Sequence, residues 1–122
     1  MVKLVILLWR RPDMTQEQFN ARWRGEHARL VNELKDKIRM RHYVQNHIAP
    51  DAGGSSFGPG RALAATGCDG VVEGWWDSLE DLHEGFNSPE GMAASSLLLE
   101  DERAFMDMSK TIVLPVQEQR IF

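Results

Sequence analysis

Apolar and polar positions along this chain recur with two periods, and the switches between them mark out its elements. Residues 2–10 (VKLVILLWR) are an almost unbroken run of apolar, branched and aromatic side chains, which predicts a strand buried on both faces. Pro12 and Asp13 break the run. Thr15 with Gln18 forms a capping-box pattern that opens a helix, in which Phe19, Trp23, Leu30, Val31 and Leu34 share one face while Arg22, Arg24, Glu33 and Lys35 lie elsewhere. Residues 38–48 (IRMRHYVQNHI) predict a second strand, with Ile38, Met40, Val44 and Ile48 alternating with polar positions. The segment Pro50–Gly67, rich in Gly, Pro and Ser, is expected to be a mobile loop that closes over a pocket mouth. A third strand follows at 70–77 (GVVEGWWD), and Ser78 caps a short helix with Leu79, Leu82 and Phe86 on one face. Asn87, Ser88 and Pro89 end it. A further helix is expected from about Met92 to Met108, and 111–121 (TIVLPVQEQRI) forms the last strand. Pro115 lacks a backbone donor and assigns that strand to a sheet edge or bulge.

The resulting order, βαββαβ, is the split pattern of an α+β, ferredoxin-like fold: a four-stranded antiparallel sheet with both helices on one face. The first strand is apolar on both faces although helices cover only one. A partner sheet, a ligand or both are therefore expected on the other. At 122 residues the chain is expected to form one domain over 1–122. A net charge of −4 argues against nucleic acid as a partner. No stretch approaches the roughly 18 apolar residues of a membrane span. The apolar start runs into Arg10 and Arg11 and does not read as a signal peptide. A lone cysteine, Cys68, excludes an intrachain disulfide framework and points to the cytoplasm.

Candidate chemistry centres on histidines, a tyrosine and aromatic neighbours. His27 continues the Phe19–Trp23 stripe at i+4, so it faces the sheet from an apolar helix face. Desolvation there would keep the imidazole neutral and suited to accept a proton; the alternative is a histidine that only fixes the helix. Tyr43 and His47 share a face of strand two with Arg41 and Gln45, opposite Met40, Val44 and Ile48. That face is expected to meet a pocket or partner rather than the helices, with Tyr43 donating to an oxyanion and His47 shuttling protons. His42 points the other way. Glu73 and Trp75 share a face of strand three, Glu73 being expected to pair with Arg39 or Arg41. Trp75-Trp76 sets one ring on each side of the sheet. Trp9, Trp23, Arg41, Glu73 and Trp75 are the candidates for contacts to a ligand. Glu100-Asp101-Glu102 reads as a helix-terminus or solvated cluster, and no spacing suggests a metal site.

Several segments, in order, carry a family likeness. They are Trp9-Arg10-Arg11-Pro12, Phe19-x-x-x-Trp23-x-x-x-His27, Tyr43-Val44-Gln45-Asn46-His47, Asp69-Gly70-x-x-Glu73 and Asp101-Glu102-x-x-Phe105-x-Asp107. With these the chain resembles the EthD family, within the dimeric α+β barrel superfamily. The resemblance implies a homodimer whose two sheets face each other, with a pocket between sheet and helices in each subunit. It implies a small apolar or aromatic ligand and cofactor-free acid–base chemistry: isomerisation, dehydration or decarboxylation of a lactone or polyketide-like substrate. His27 matches a histidine implicated in a muconolactone methylisomerase. The alternatives it carries are a non-catalytic accessory protein of a cytochrome P450-linked ether or aromatic degradation pathway, and a haem-linked oxygenase using Trp75 or Trp76 with His83.

Overall fold

The apolar run at the start of the chain folds as strand β1 (Val2–Leu8) and takes an interior position in a four-stranded antiparallel sheet. The computed structural model describes residues 1–49 and 67–122, so the expected closure of the Pro50–Gly67 loop, all but its last residue, lies outside the described residues. Strands β2 (His42–His47), β3 (Gly70–Trp76) and β4 (Ile112–Val116) complete the sheet in the order β2-β3-β1-β4. This is the ferredoxin-like arrangement expected from the element order. Pro115 sits opposite Leu4 on the edge strand β4, where a missing N–H is tolerated.

Thr15 opens the first helix with the expected capping box. Its hydroxyl accepts from the Gln18 N–H at 3.1 Å, and the Gln18 side chain accepts from the Thr15 N–H at 2.9 Å. Helix α1 (Gln16–Arg22) runs through a π-helical turn (Trp23–His27) directly into α2 (Ala28–Leu34). The buried positions are Phe19, Trp23, His27, Val31 and Leu34. The first three steps of that series are four residues long, and in an α-helix each such step overshoots a full turn by about 40°. The wider π turn absorbs the overshoot and keeps Trp23 and His27 on the sheet side.

Ser78 and Ser88 cap α3 (Leu79–Asn87) and α4 (Pro89–Glu102), their hydroxyls accepting from the Asp81 and Gly91 N–H groups at 3.0 and 3.1 Å. Leu82 is buried and Phe86 packs beside the core, but Leu79 is exposed, contrary to the shared face expected of the three. Helix α4 stops at Glu102, short of the expected Met108. The chain turns there, and Phe105 and Met106 enter the core beside Leu8, Phe19 and Trp23. Among the described residues no helix is long and apolar enough to cross a membrane.

The helices cover one side of the sheet. Register places Leu4, Ile6 and Leu8 of β1 and Val72, Gly74 and Trp76 of β3 on that side. The other side presents Val5, Leu7, Val71, Val44, Ile112 and Leu114 around Trp75 and a Lys3–Glu73 ion pair of 2.9 Å. Trp76 donates its indole N–H to the Ile38 carbonyl at 2.7 Å in the core, so the two tryptophans do flank the sheet.

Strand two departs from expectation. Tyr43, Gln45 and His47 face the helices, and Val44 lies on the open side. The strand begins only at His42, because Arg39 adopts a left-handed conformation (φ 59°) that ends the alternation begun at Ile38. Ile38 and Met40 are buried under the helices for that reason, on a turn and not on the strand. Glu73 pairs with Lys3 and not with an arginine; Arg39 binds Asp81 and Arg41 binds Asp77, at 2.9 and 2.8 Å.

Candidate functional site

A cavity of about 350 Å³ lies between the helix-facing side of the sheet and the helices. Leu4, Ile6 and Val72 form part of its floor, and Val31, Leu98 and Leu99 part of its helical walls. Glycine at position 74, opposite Tyr43, keeps the floor clear, since a Cβ there would lie 3.1 Å from Met40 Sδ and 3.2 Å from the Trp76 ring. Among the described residues, three titratable groups reach this apolar space: His27, Tyr43 and Glu102.

His27 is delivered by the π-helical turn and is 4 % exposed. Its Nδ1 lies 2.8 Å from Asp101 Oδ2, and its ring packs on Phe105 with centroids 5.0 Å apart. An ionised carboxylate only accepts, so Nδ1 carries the proton and Nε2 presents a lone pair. Burial pushes the His27 pKa below its ordinary value, and the Asp101 hydrogen bond and charge only partly oppose this. The imidazole is therefore neutral at pH 7.

Asp101 is itself anchored by Arg22, whose Nη2 donates to Oδ1 at 2.5 Å. Burial works against the Asp101 charge, but the hydrogen bonds from Arg22 and His27 outweigh it and hold the carboxyl below its usual range. Glu102 behaves in the opposite way. Its carboxyl, 3.9 Å from His27 Nε2, has no cation among the described residues to offset desolvation and stands beside the Asp101 charge, so its pKa is pushed up to about 7. Two adjacent carboxyls thus take different protonation states near neutrality because one has an arginine and the other an apolar cavity.

Tyr43 lines the opposite wall. Burial pushes its phenol pKa up, while hydrogen bonds from Gln45 and Trp23 pull the other way. Trp23 lies flat enough against the sheet to contact His47, centroids 4.3 Å apart, because Gly70 offers no side chain; a Cβ there would sit 2.5 Å from the Trp23 ring.

Of the residues singled out from sequence, the structure brings His27, Tyr43 and Trp23 to the cavity. His47 stands behind them, bonded to Gln45. Glu73 and Trp75 lie on the far side of the sheet, where the Trp75 N–H donates to Glu118 Oε1 at 2.5 Å. Arg41 is exposed on Asp77, and Trp9 is beyond the end of β1, its carbonyl accepting from the Asp107 N–H. Of the residues named for the haem alternative, His83 is exposed on α3, Trp75 faces away from the cavity, and Trp76 lies in the core beside it with its N–H on the Ile38 carbonyl. Asp101, Glu102 and Arg22 were not recognised as site residues. The segment Asp101-Glu102-x-x-Phe105 did carry the family likeness, and that was the signal available.

The EthD domain model matches residues 11–109. No curated protein matches the chain. Among solved structures, an ethyl tert-butyl ether degradation (EthD) family protein from Bacillus halodurans superposes with a TM-score of 0.64 at 19% identity, covering 98% of this chain and 99% of that one. A hydroxynitrile lyase from Passiflora edulis gives 0.62 at 16% identity, with 99% and 95% covered. A dimeric protein of unknown function and ferredoxin-like fold from Bacteroides fragilis gives 0.59 at 16%, with 96% and 95% covered. At these identities the structures speak for the fold, while the domain match spans most of the chain, and the chain belongs to the EthD family.

Proposed function

We propose that this protein is a cofactor-free acid–base catalyst acting on a small apolar or aromatic molecule, which it isomerises, dehydrates or decarboxylates as a lactone- or polyketide-like substrate. The observation that carries the reading is a neutral, Asp101-oriented imidazole sharing an apolar cavity with a carboxyl whose pKa is about 7. Proton transfer is most effective from groups whose pKa lies near the working pH. In isomerisation or dehydration His27 Nε2 takes a proton from carbon beside a substrate carbonyl, whereas in decarboxylation the C–C bond to the leaving CO2 breaks instead; in each case the electron pair moves onto the carbonyl oxygen. Tyr43 donates a hydrogen bond to that oxygen as charge develops there. Protonated Glu102 then supplies a proton to another carbon or to a leaving group, and the His27 Nε2 proton passes to the Glu102 carboxylate 3.9 Å away, which restores both groups. Water is kept from the intermediate by the apolar walls.

The partner in this reading is a second copy of the chain. The helix-free side of the sheet carries Val5, Leu7, Val71, Leu114 and Trp75, and a ferredoxin-like neighbour of similar fold is described as dimeric. The site is assigned to each subunit alone.

The test is turnover of a panel of lactones, enolisable aromatic ketones and hydroxynitriles, the last because a neighbour of this fold is a hydroxynitrile lyase. Wild type is expected to turn over at least one class, and His27→Asn to lower kcat by about 10²–10⁴-fold without loss of the fold. Binding without turnover across the panel would favour the accessory-protein reading instead.

A further inference from the structure

We propose that Gln45 is a positioning residue that presents the Tyr43 hydroxyl to the cavity with its proton directed inward, and that His47 serves by holding the Gln45 amide in the required orientation. This deepens the acid–base reading and rests on Tyr43 as its oxyanion donor.

The bonding leaves little choice of orientation. Gln45 Nε2 lies 2.8 Å from the Trp23 carbonyl oxygen, which only accepts, so the nitrogen end of the amide must face it. The same nitrogen lies 3.1 Å from the Tyr43 oxygen. Its two N–H bonds are therefore spent on Trp23 and Tyr43, and the phenol oxygen is an acceptor in this contact. The phenol proton is left to point elsewhere, and among the described residues no acceptor stands within hydrogen-bond reach of it. The cavity is the space that Tyr43 lines.

The amide's other end is equally determined. Gln45 Oε1 lies 2.8 Å from His47 Nε2, so His47 donates there and carries its proton on Nε2. Its buried Nδ1 has no hydrogen-bond partner among the described residues, and the ring is held against Trp23. Burial, with the charge of Arg24, lowers the His47 pKa, which favours the neutral ring. Trp23 closes the circuit, since its carbonyl fixes the amide and its ring packs on His47. All three strand residues are on the side of the sheet that faces the helices, at successive alternate positions of β2, and none of the chain from Gln45 to His47 needs to touch substrate.

Tyr43 is the only tyrosine in the chain, so its ionisation can be followed directly by ultraviolet absorbance. Loss of the Gln45 N–H in Gln45→Leu is expected to raise the Tyr43 pKa above that of wild type. The same variant should bind para-nitrophenolate, a stable oxyanion probe, about 10- to 100-fold more weakly, as Tyr43→Phe should. His47→Ala should move both readouts the same way by less. Gln45→Glu keeps the size of the side chain and covers the case in which the leucine variant does not fold. Its carboxylate accepts a hydrogen bond from the phenol O–H and turns that proton away from the cavity, so binding should be lost again. An unchanged tyrosine titration in folded Gln45→Leu or Gln45→Glu would overturn the assignment, as would full para-nitrophenolate binding in either where Tyr43→Phe has lost it. Should wild type itself not bind the probe, the acid–base reading loses its oxyanion donor, and the titration still decides the role of Gln45.

Discussion

Asp101 and Glu102 are neighbours in sequence with opposite assignments, and the difference is one arginine. Glu102 binds its proton more tightly in the folded chain than its ordinary value of 4.5 allows, with a pKa of about 7. A carboxyl raised in this way contributes stability that is fully present below pH 4.5 and is lost as pH rises through about 7. Comparing wild type with Glu102→Gln by denaturant unfolding should show wild type losing up to about 3 kcal/mol more across that window. A flat difference would show that Glu102 ionises without cost. His27 has the opposite sign, its lowered pKa giving stability above pH 6.5 that is lost as pH falls through the folded value. Asp101→Asn removes the groups that support the imidazolium, so NMR titration of the four histidines should find His27 lowered further than in wild type. A rise would contradict the Asp101 contact. Acidic residues also stand unfavourably at a helix C-terminus, and the last turn of α4 holds no basic residue. That misfit shows only once the helix is seen to stop at Glu102, short of the expected Met108.

Elements here are joined by close backbone approaches as much as by apolar faces. The junction of α3 with the turn after α2 depends on Gly85, where a Cβ would lie 2.1 Å from the Ile38 carbonyl oxygen that also accepts from Trp76. In an isolated helix Gly→Ala would stabilise by about 1 kcal/mol. Here Gly85→Ala is expected to destabilise by about 1–3 kcal/mol through forced displacement, with the sign read from the thermal midpoint. A rise in the midpoint would mean that the two segments separate easily. The π-helical turn shows how far element reasoning reaches. The apolar stripe was found, and so was the place of His27 in it. The run of four-residue spacings was the trace of a wider turn, which helical periodicity alone treats as ordinary.

For the whole molecule, the unresolved balance is the helix-free side of the sheet. Val5, Leu7, Val71 and Leu114 form its apolar ground, and Lys3, Glu73 and Trp75 form a polar cluster within it. Sedimentation equilibrium at micromolar concentration is expected to give twice the chain mass of 13.9 kDa. Lys3→Glu sets like charges on Glu73 and Glu118 and should weaken that association if this side is the interface. A monomeric wild type would leave this face without its proposed cover.

By itself the sequence determined the elements and their order, and the ends that carry a local signal such as a cap. Capping residues, proline at an edge strand and apolar periodicity are local properties, and the capping box at Thr15 and the cap at Ser78 formed as expected, while Ser88, expected only to end a helix, also caps the next one. The ordered segments that carry the family likeness were legible for the same reason, being local strings of residues. Only the tertiary structure decided which side of the sheet β2 would turn to the helices, since one left-handed residue, Arg39, reset the alternation between Met40 and Tyr43. It alone paired Glu73 with Lys3, 70 residues away, and brought Asp101 to His27 across 74. Such long-range contacts follow from how the elements pack, and the protonation states at the cavity follow from them in turn, because a carboxyl's charge is set by what lies across the fold from it and not by its neighbours in the chain.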